Sequence, residues 1–142
     1  MAYHLSIFME NKPGKLERIT KILAEMKINV RAVSVADGGD FGVVKILANE
    51  TEKAYQALKN ENVTVSKRRI LIVPVPDEPG GLFNLLSILS ANQINIKDCY
   101  GFVLERRKEA VVVIEAEKYP PAEEVLLANG YQILSDEELS AI

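Results

Sequence analysis

The chain has 142 residues, 48% of them hydrophobic and 26% charged, which is the balance of a folded globular protein and not of a disordered one. A formal net charge of −3 and a pI near 5.3 give no electrostatic reason to expect nucleic acid or an anionic membrane as partner. The single cysteine, Cys99, excludes an internal disulfide and fits a reducing, cytoplasmic setting, and every apolar run is far shorter than the about 20 residues a membrane-spanning helix needs.

Met1 runs straight into a strand pattern, so no signal peptide is expected. Tyr3, Leu5, Ile7 and Met9 alternate with His4, Ser6 and Glu10, the period of a half-buried strand. Asn11-Lys12-Pro13-Gly14 ends it. Leu16, Ile19, Ile22, Leu23 and Met26 then recur at helical spacing, and Pro13 is expected in the first helical turn, where its missing N–H costs nothing. Strands over Ile28–Ala36 and Phe41–Ala48 follow, joined by a hairpin at Asp37-Gly38-Gly39-Asp40. Thr51 is expected to cap a helix carrying Ala54, Ala57 and Leu58, after which Val63 and Val65 begin a fourth strand.

The series then repeats. With Pro13 laid on Pro79, Gly14 meets Gly80, Leu16 meets Leu82, Leu23 meets Leu89, Ile28 meets Ile94 and Asn29 meets Asn95. Two further residues enter in the turn around Glu105 to Lys108, after which Ala54 meets Ala122 and Leu58 meets Leu126. Turns tolerate insertions and strand interiors do not. The second copy therefore reads as strand Ile70–Pro76, helix Leu82–Ala91, strands Ile94–Leu104 and Ala110–Ala116, helix Ala122–Ala128 and strand Tyr131–Leu134. Pro120 and Pro121 mark the start of its second helix, and Asn62 and Gly130, at matching places, are expected to end helices in the left-handed conformation. Ser135-Asp136-Glu137-Glu138 resembles a capping box, predicting a short last helix with Leu139 and Ile142 turned inward. Lys67-Arg68-Arg69 joins the copies and Arg106-Arg107-Lys108 forms a hairpin tip, both expected to be solvated.

Two βαββαβ units with right-handed crossovers place both helices of each on one side of an antiparallel sheet in the order 4-1-3-2, the ferredoxin-like α+β arrangement. The expected modules are 1–68 and 69–142. A unit of about 60 residues buries only about 60% of its unfolded surface, so each is expected to lean on the other or on a second copy of the chain. One feature strains the scheme. Pro74 and Pro76 blank two donors on the same side of what should be a central strand, so one neighbour of that strand is expected to stop beside Pro74.

The motifs Asn11-Lys12-Pro13-Gly14-Lys15-Leu16 with Ile28-Asn29-Val30, and Asp77-Glu78-Pro79-Gly80-Gly81-Leu82 with Ile94-Asn95-Ile96, resemble those of ACT domains, the small amino-acid-sensing modules of metabolic regulators. The resemblance covers nearly the whole chain, with no catalytic domain beside it. It departs at Lys27 and Gln93, where many such modules carry glycine. It implies an amino acid held between two paired modules by the loop before the first helix and by the asparagine beginning the second strand. Candidate ligand-binding residues are therefore Asn11, Pro13, Gly14 and Asn29 in the first copy, and Asp77, Glu78, Gly80, Gly81 and Asn95 in the second.

Elementary chemistry is consistent with that role. A helix N-terminus offers unpaired N–H groups to a carboxylate, and glycine lets a ligand approach the backbone. Asparagine serves both ends of a zwitterion, and Asp77 offers an α-ammonium a charge where the first copy has neutral Asn11. If one site works, the second copy has the better-equipped loop.

The sequence thus points to a non-catalytic regulator with no cofactor and no metal, forming a homodimer and signalling to a metabolic enzyme. The alternative is an assembly module that has lost its ligand. An enzyme finds no support: there is no nucleophile–base pairing, metal-ligand cluster or recognised phosphate loop. Nor does RNA binding, since only the first copy offers aromatics, Phe8 and Phe41, on its first and third strands. His4 is expected to be structural, Cys99 to be a small core residue, and Tyr100 with Phe102 to cover core or an interface or to line a pocket.

Overall fold

A computed structural model of the chain describes residues 1–104 and 108–141. The elements in order are β1 (Ala2–Glu10), α1 (Lys15–Glu25), β2 (Val30–Gly38), β3 (Phe41–Ala48), α2 (Thr51–Asn60), β4 (Thr64–Pro76), α3 (Gly81–Ala91), β5 (Ile96–Leu104), β6 (Glu109–Ala116), α4 (Tyr119–Ala128) and α5 (Asp136–Ser140). They form two compact units, Tyr3–Arg68 and Arg69–Ile142, the latter also including Met1–Ala2.

In the first unit the strands run β2-β3-β1-β4, the expected 4-1-3-2 order read from the other edge, with β1 and β2 antiparallel to β3. Leu5 and Ile7 of β1 and Val44 and Ile46 of β3 pack in one cluster with Ile19 and Leu23 of α1 and Ala54 and Leu58 of α2. One cluster drawing on both helices places them on a single face of the sheet. The second unit repeats this: Leu71, Val73 and Ile114 meet Leu85 and Leu89 of α3 and Ala122 and Leu126 of α4. Alternation along the strands and 3.6-residue spacing along the helices put these side chains where they meet.

The two strands expected on either side of Lys67-Arg68-Arg69 are one continuous strand, β4, which gives its first part to the first unit and its second part to the other. Its cations are exposed but engaged, not merely solvated. Lys67 Nζ lies 2.6 Å from Glu52 Oε2 and over the Tyr55 ring, and the Arg69 guanidinium stacks 3.7 Å above the Tyr119 ring. Their long stems suit a strand because they lie along apolar neighbours while the charge stays in water.

The expected strand Tyr131–Leu134 is reduced to a single bridge, Ile72↔Leu134, in which the Leu134 N–H donates to the Ile72 carbonyl at 2.8 Å. On the opposite side β4 stays paired to β6 through Pro74↔Val111 to Pro76↔Glu109. Hydrogen-bond direction alternates along a strand, so Pro74 and Pro76 turn their missing donors toward the Leu134 side. Pairing ends there at Ile72, as the prolines require.

Three terminus expectations change. Pro13 and Pro79 precede α1 and α3, whose N-caps are Gly14 and Gly80 at φ +87° and +86°. Lys15 N–H bonds to Lys12 C=O, and Gly81 N–H to Glu78 C=O. This is a type II turn with proline second and glycine third, a position whose positive φ penalises any side chain. Thr51 does not cap α2: Glu50 holds the N-cap position, and the Thr51 hydroxyl donates to the Tyr3 carbonyl at 3.4 Å. α4 begins at Tyr119, so Pro120 and Pro121 fall within its first turn. The capping box of α5 forms in both directions between Ser135 and Glu138, and Leu139 is buried. Ile142 and the residues Glu105 to Arg107, where the insertion was placed, lie outside the described residues.

Helices α1 to α4 all end alike. Lys27, Asn62, Gln93 and Gly130 have positive φ, and the N–H of the residue after each reaches back to Leu23, Leu58, Leu89 and Leu126. This is the Schellman motif, with its apolar contact across the turn. Lys27 and Gln93 thus hold a left-handed geometry that glycine adopts without a side-chain penalty. A side chain in this region costs roughly 1–2 kcal/mol, part of which glycine returns as unfolded-chain entropy. Lys27→Gly and Gln93→Gly are each expected to stabilise the protein by about 0.5–1 kcal/mol, checked by urea denaturation. A loss of stability in both would contradict the strain reading.

Candidate functional site

The turn that opens α3 forms one wall of a cavity of about 360 Å³. Asp77 and Glu78 line it from the loop, Leu82 from α3 and Val75 from β4, and the edge strand β5 contributes Cys99 to Val103. The loop is fixed by its backbone: Asp77 N–H donates to Lys108 C=O at 3.1 Å and Glu78 N–H to Pro76 C=O at 3.0 Å. Both acidic side chains remain exposed. No side chain caps α3, and of its first-turn N–H groups Gly81 bonds to Glu78 C=O, so the others have no side-chain partner at the end of the loop that carries the two carboxylates.

Gly81 is buried for a reason other than ligand access. A Cβ built on it would lie 2.3 Å from the Pro76 carbonyl oxygen, so α3 starts against the end of β4. Its counterpart in the first unit, Lys15, carries a full side chain. The close approach therefore belongs to the second loop alone.

The first-unit loop is occupied by its own structure. Asn11 Nδ2 donates to Asp37 Oδ1 at 3.0 Å and to Gly39 C=O at 2.9 Å, tying the loop to the β2–β3 hairpin. Lys12 Nζ sits 2.9 Å from Glu10 Oε2. Hydrogen bonding and charge from Lys12, then the charge of Lys15, hold the Glu10 carboxyl below its ordinary range, and Glu10 raises Lys12 in turn. A cavity of about 300 Å³ in this unit is lined by Glu10 and Lys15, which flank the loop, and by Phe8, Arg18, Phe41 and Asn62, but by none of the first-copy candidates. Phe8 and Phe41 stack there, ring centroids 4.9 Å apart.

The two asparagines stand apart from the loops. Asn29 N–H donates to Asn49 Oδ1 and its carbonyl accepts from Asn49 N–H, while the Asn95 carbonyl accepts from Glu117 N–H. Their backbones thus tie the start of the second strand to the end of the third. Asn95 lines a separate hollow with Gln93 and Ile96. The register puts Ile96 opposite Ala116 and Leu104 opposite Glu109, which also faces Pro76. At about 3.3 Å per residue, the length of β5 separates Asn95 from the Asp77 loop by about 26 Å. A single module does not bring the two halves of the candidate site together.

Cys99 is not a core residue but exposed, on the cavity wall. Desolvation by its surroundings and then Asp98 push its thiol up, away from reactivity. Tyr100 lines the same cavity, and burial, followed by Asp98 and Glu115, pushes its phenol well above the ordinary value. His4 is fully buried in β1. Residues missed from the sequence are Leu82, Val103 and above all Gly101; a glycine inside a strand, aligned with Val35 of the first copy, was the available signal.

A family model for the ACT domain pair matches residues 1–142. The chain belongs to the ACT domain pair family. The crystal structure of protein BT0572 from Bacteroides thetaiotaomicron is similar at 33% identity and a TM-score of 0.92, over 99% of this chain and 96% of that one. The regulatory subunit of aspartate kinase from Thermus thermophilus, in a ligand-free form, shares the fold at 16% identity and a TM-score of 0.63, over 90% of this chain and 92% of that one. The corresponding subunit from Thermus flavus does so at 17% and 0.58, over 89% and 88%. No curated protein matches this chain. Among the described residues no helix of the ACT pair is long and apolar enough to cross a membrane, and no cluster of three or more histidine, cysteine or acidic side chains could hold a metal.

Proposed function

We propose that this ACT pair is a non-catalytic, cytoplasmic regulatory protein that binds an amino acid at the Asp77–Gly81 loop and signals allosterically to a metabolic enzyme. The observation that carries the reading is the second loop itself: two exposed carboxylates beside an uncapped helix N-terminus, on a cavity of about 360 Å³. Carboxylates suit an α-ammonium and helix N–H groups suit an α-carboxylate. The first loop also precedes an uncapped helix, but it has Asn11, bonded to its own hairpin, and Lys12 where the second loop has its two carboxylates. That two proteins of like fold are regulatory subunits of aspartate kinase supports an enzyme partner.

Asn95 enters the site from a second copy of the chain. It lies at the far end of the edge strand from Asp77, so antiparallel pairing of β5 with another β5 would bring the asparagine of one copy to the loop of the other. The proposed active form is therefore a homodimer. A ligand at about 100 times its Kd adds roughly 2.7 kcal/mol of stability, which raises Tm by several degrees. A thermal-shift screen of the standard amino acids at millimolar concentration is expected to give such a rise for at least one, and a flat screen would remove the sensing reading.

The assembly reading has one observation in its favour. Val33 and Val35 on β2 and Val103 on β5 are 52%, 54% and 61% exposed along the two edge strands. The variant carrying Asp77→Ala and Asn95→Ala separates the readings by titration and light scattering. Under sensing, ligand binding falls by about tenfold or more. Under assembly, dimer and partner binding persist unchanged and no ligand response exists to lose.

A further inference from the structure

We infer that the ligand of the second module is an amino acid with an apolar, uncharged side chain, and that Gly101 makes the space for it; this rests on the amino-acid-binding reading above. The loop supplies the two charges that would fix any amino acid, so the remaining walls decide which one. Those walls are Val75 and Leu82 on one side, Val103 and the backbone of β5 on the other, with Val112 beneath. Among the described residues, the ionisable groups in this lining apart from Asp77 and Glu78 are the Cys99 thiol and the Tyr100 phenol, both pushed toward the neutral form by their surroundings. Among the described residues no cation lines the cavity. An acidic side chain would meet two carboxylates with no counter-charge among the described residues, while a basic or small polar one would leave its charge, hydroxyl or amide against Leu82, Val103 and Val112 once the loop holds the α-ammonium. A branched aliphatic or aromatic side chain buries apolar surface there instead.

Gly101 pairs with Val112, whose side chain belongs to the cluster under α3 and α4, so position 101 faces the helix side of the sheet. A Cβ built on it would lie 2.8 Å from the Val111 carbonyl oxygen, so a side chain there moves the strand as well as filling the cavity. Its repeat mate Val35 is a full β-branched residue, and Asp77 and Glu78 are matched by Asn11 and Lys12. The second module thus differs from the first in both halves of one ligand: a charge for the ammonium and room for an apolar side chain. At about 360 Å³ the cavity is at the small end of the roughly 300–1,000 Å³ range of small-molecule sites.

The test is calorimetric titration of the full chain with leucine, phenylalanine, serine, aspartate and lysine, and with 4-methyl-2-oxopentanoate, which keeps the body of leucine but has no ammonium. Leucine or phenylalanine is expected to bind at least about tenfold tighter than serine, aspartate or lysine, with the oxo acid weakened by a similar factor. Gly101→Val is expected to abolish that preference. Should Gly101→Val fail to fold, Leu82→Gln, at a half-exposed position, is expected to narrow the same preference while Tm without ligand is retained. Serine, aspartate or lysine binding as tightly as leucine and phenylalanine would overturn the apolar inference and leave amino-acid sensing standing. A preference for leucine that survives in both folded variants would overturn the role given to these walls. Absence of binding by every standard amino acid would overturn both readings together.

Discussion

Leu89→Ala is expected to destabilise the second module by about 2.7–5 kcal/mol, and Leu23→Ala to do the same to the first. Both leucines are fully buried, at the same turn of the first helix of their modules, and each also closes the Schellman motif at its helix end. Truncation therefore removes the transfer energy of the side chain, leaves a void between helix and sheet, and takes the apolar partner from Ile28 or Ile94. Modules of this size have little stability to lose, since small domains bury a modest fraction of their surface. Urea denaturation followed by circular dichroism is the measurement. Each variant should lower the midpoint for its own module, and a cost below about 1 kcal/mol in both would mean that these helices do not supply the core.

The second large effect is expected at Gly81. Gly81→Ala should cost about 1–3 kcal/mol, because its Cβ would meet the Pro76 carbonyl at 2.3 Å and a backbone atom cannot turn aside as a side chain can. Gly80→Ala provides a contrast of mechanism. Its Cβ would meet nothing within 4 Å, but at φ +86° the cost is conformational, roughly 1–2 kcal/mol. Lys15→Ala, at the place in the first module that matches Gly81, should stay within about 0.5 kcal/mol. Thermal and urea unfolding of the three variants decides the matter. A neutral Gly81→Ala would show that α3 does not begin pressed against β4. Moving α3 also shifts the loop that carries Asp77 and Glu78, so Gly81→Ala should weaken the proposed amino-acid binding as well as the fold.

These variants show where local pattern sufficed. Pro13-Gly14 and Pro79-Gly80 read correctly as helix openings because a type II turn is a matter of adjacent residues, although the proline lies before the N-cap and not in the first helical turn. The core leucines were legible from 3.6-residue spacing and the early end of pairing beside Pro74 from its missing N–H. Lys27 and Gln93 were not legible in the same way: as single residues they argue against the left-handed turn that the Schellman hydrogen bonds and the apolar contacts of Leu23 and Leu89 impose on them.

The candidate site divides along the same line. Repetition, helix and strand period, and turn chemistry are short-range properties, so the order of amino acids alone determined that this protein is two βαββαβ modules with unlike loops before their first helices. The second of those loops was already recognisable as the charged one. Only the tertiary structure decided that Lys67-Arg68-Arg69 is strand, that Asn11 is bound to its own hairpin, and that Asp77 and Asn95 lie at opposite ends of β5. It alone placed a cavity where Gly101 passes the Val111 carbonyl. Each of these depends on which distant segments are brought within a few ångströms of one another, and no local period encodes that.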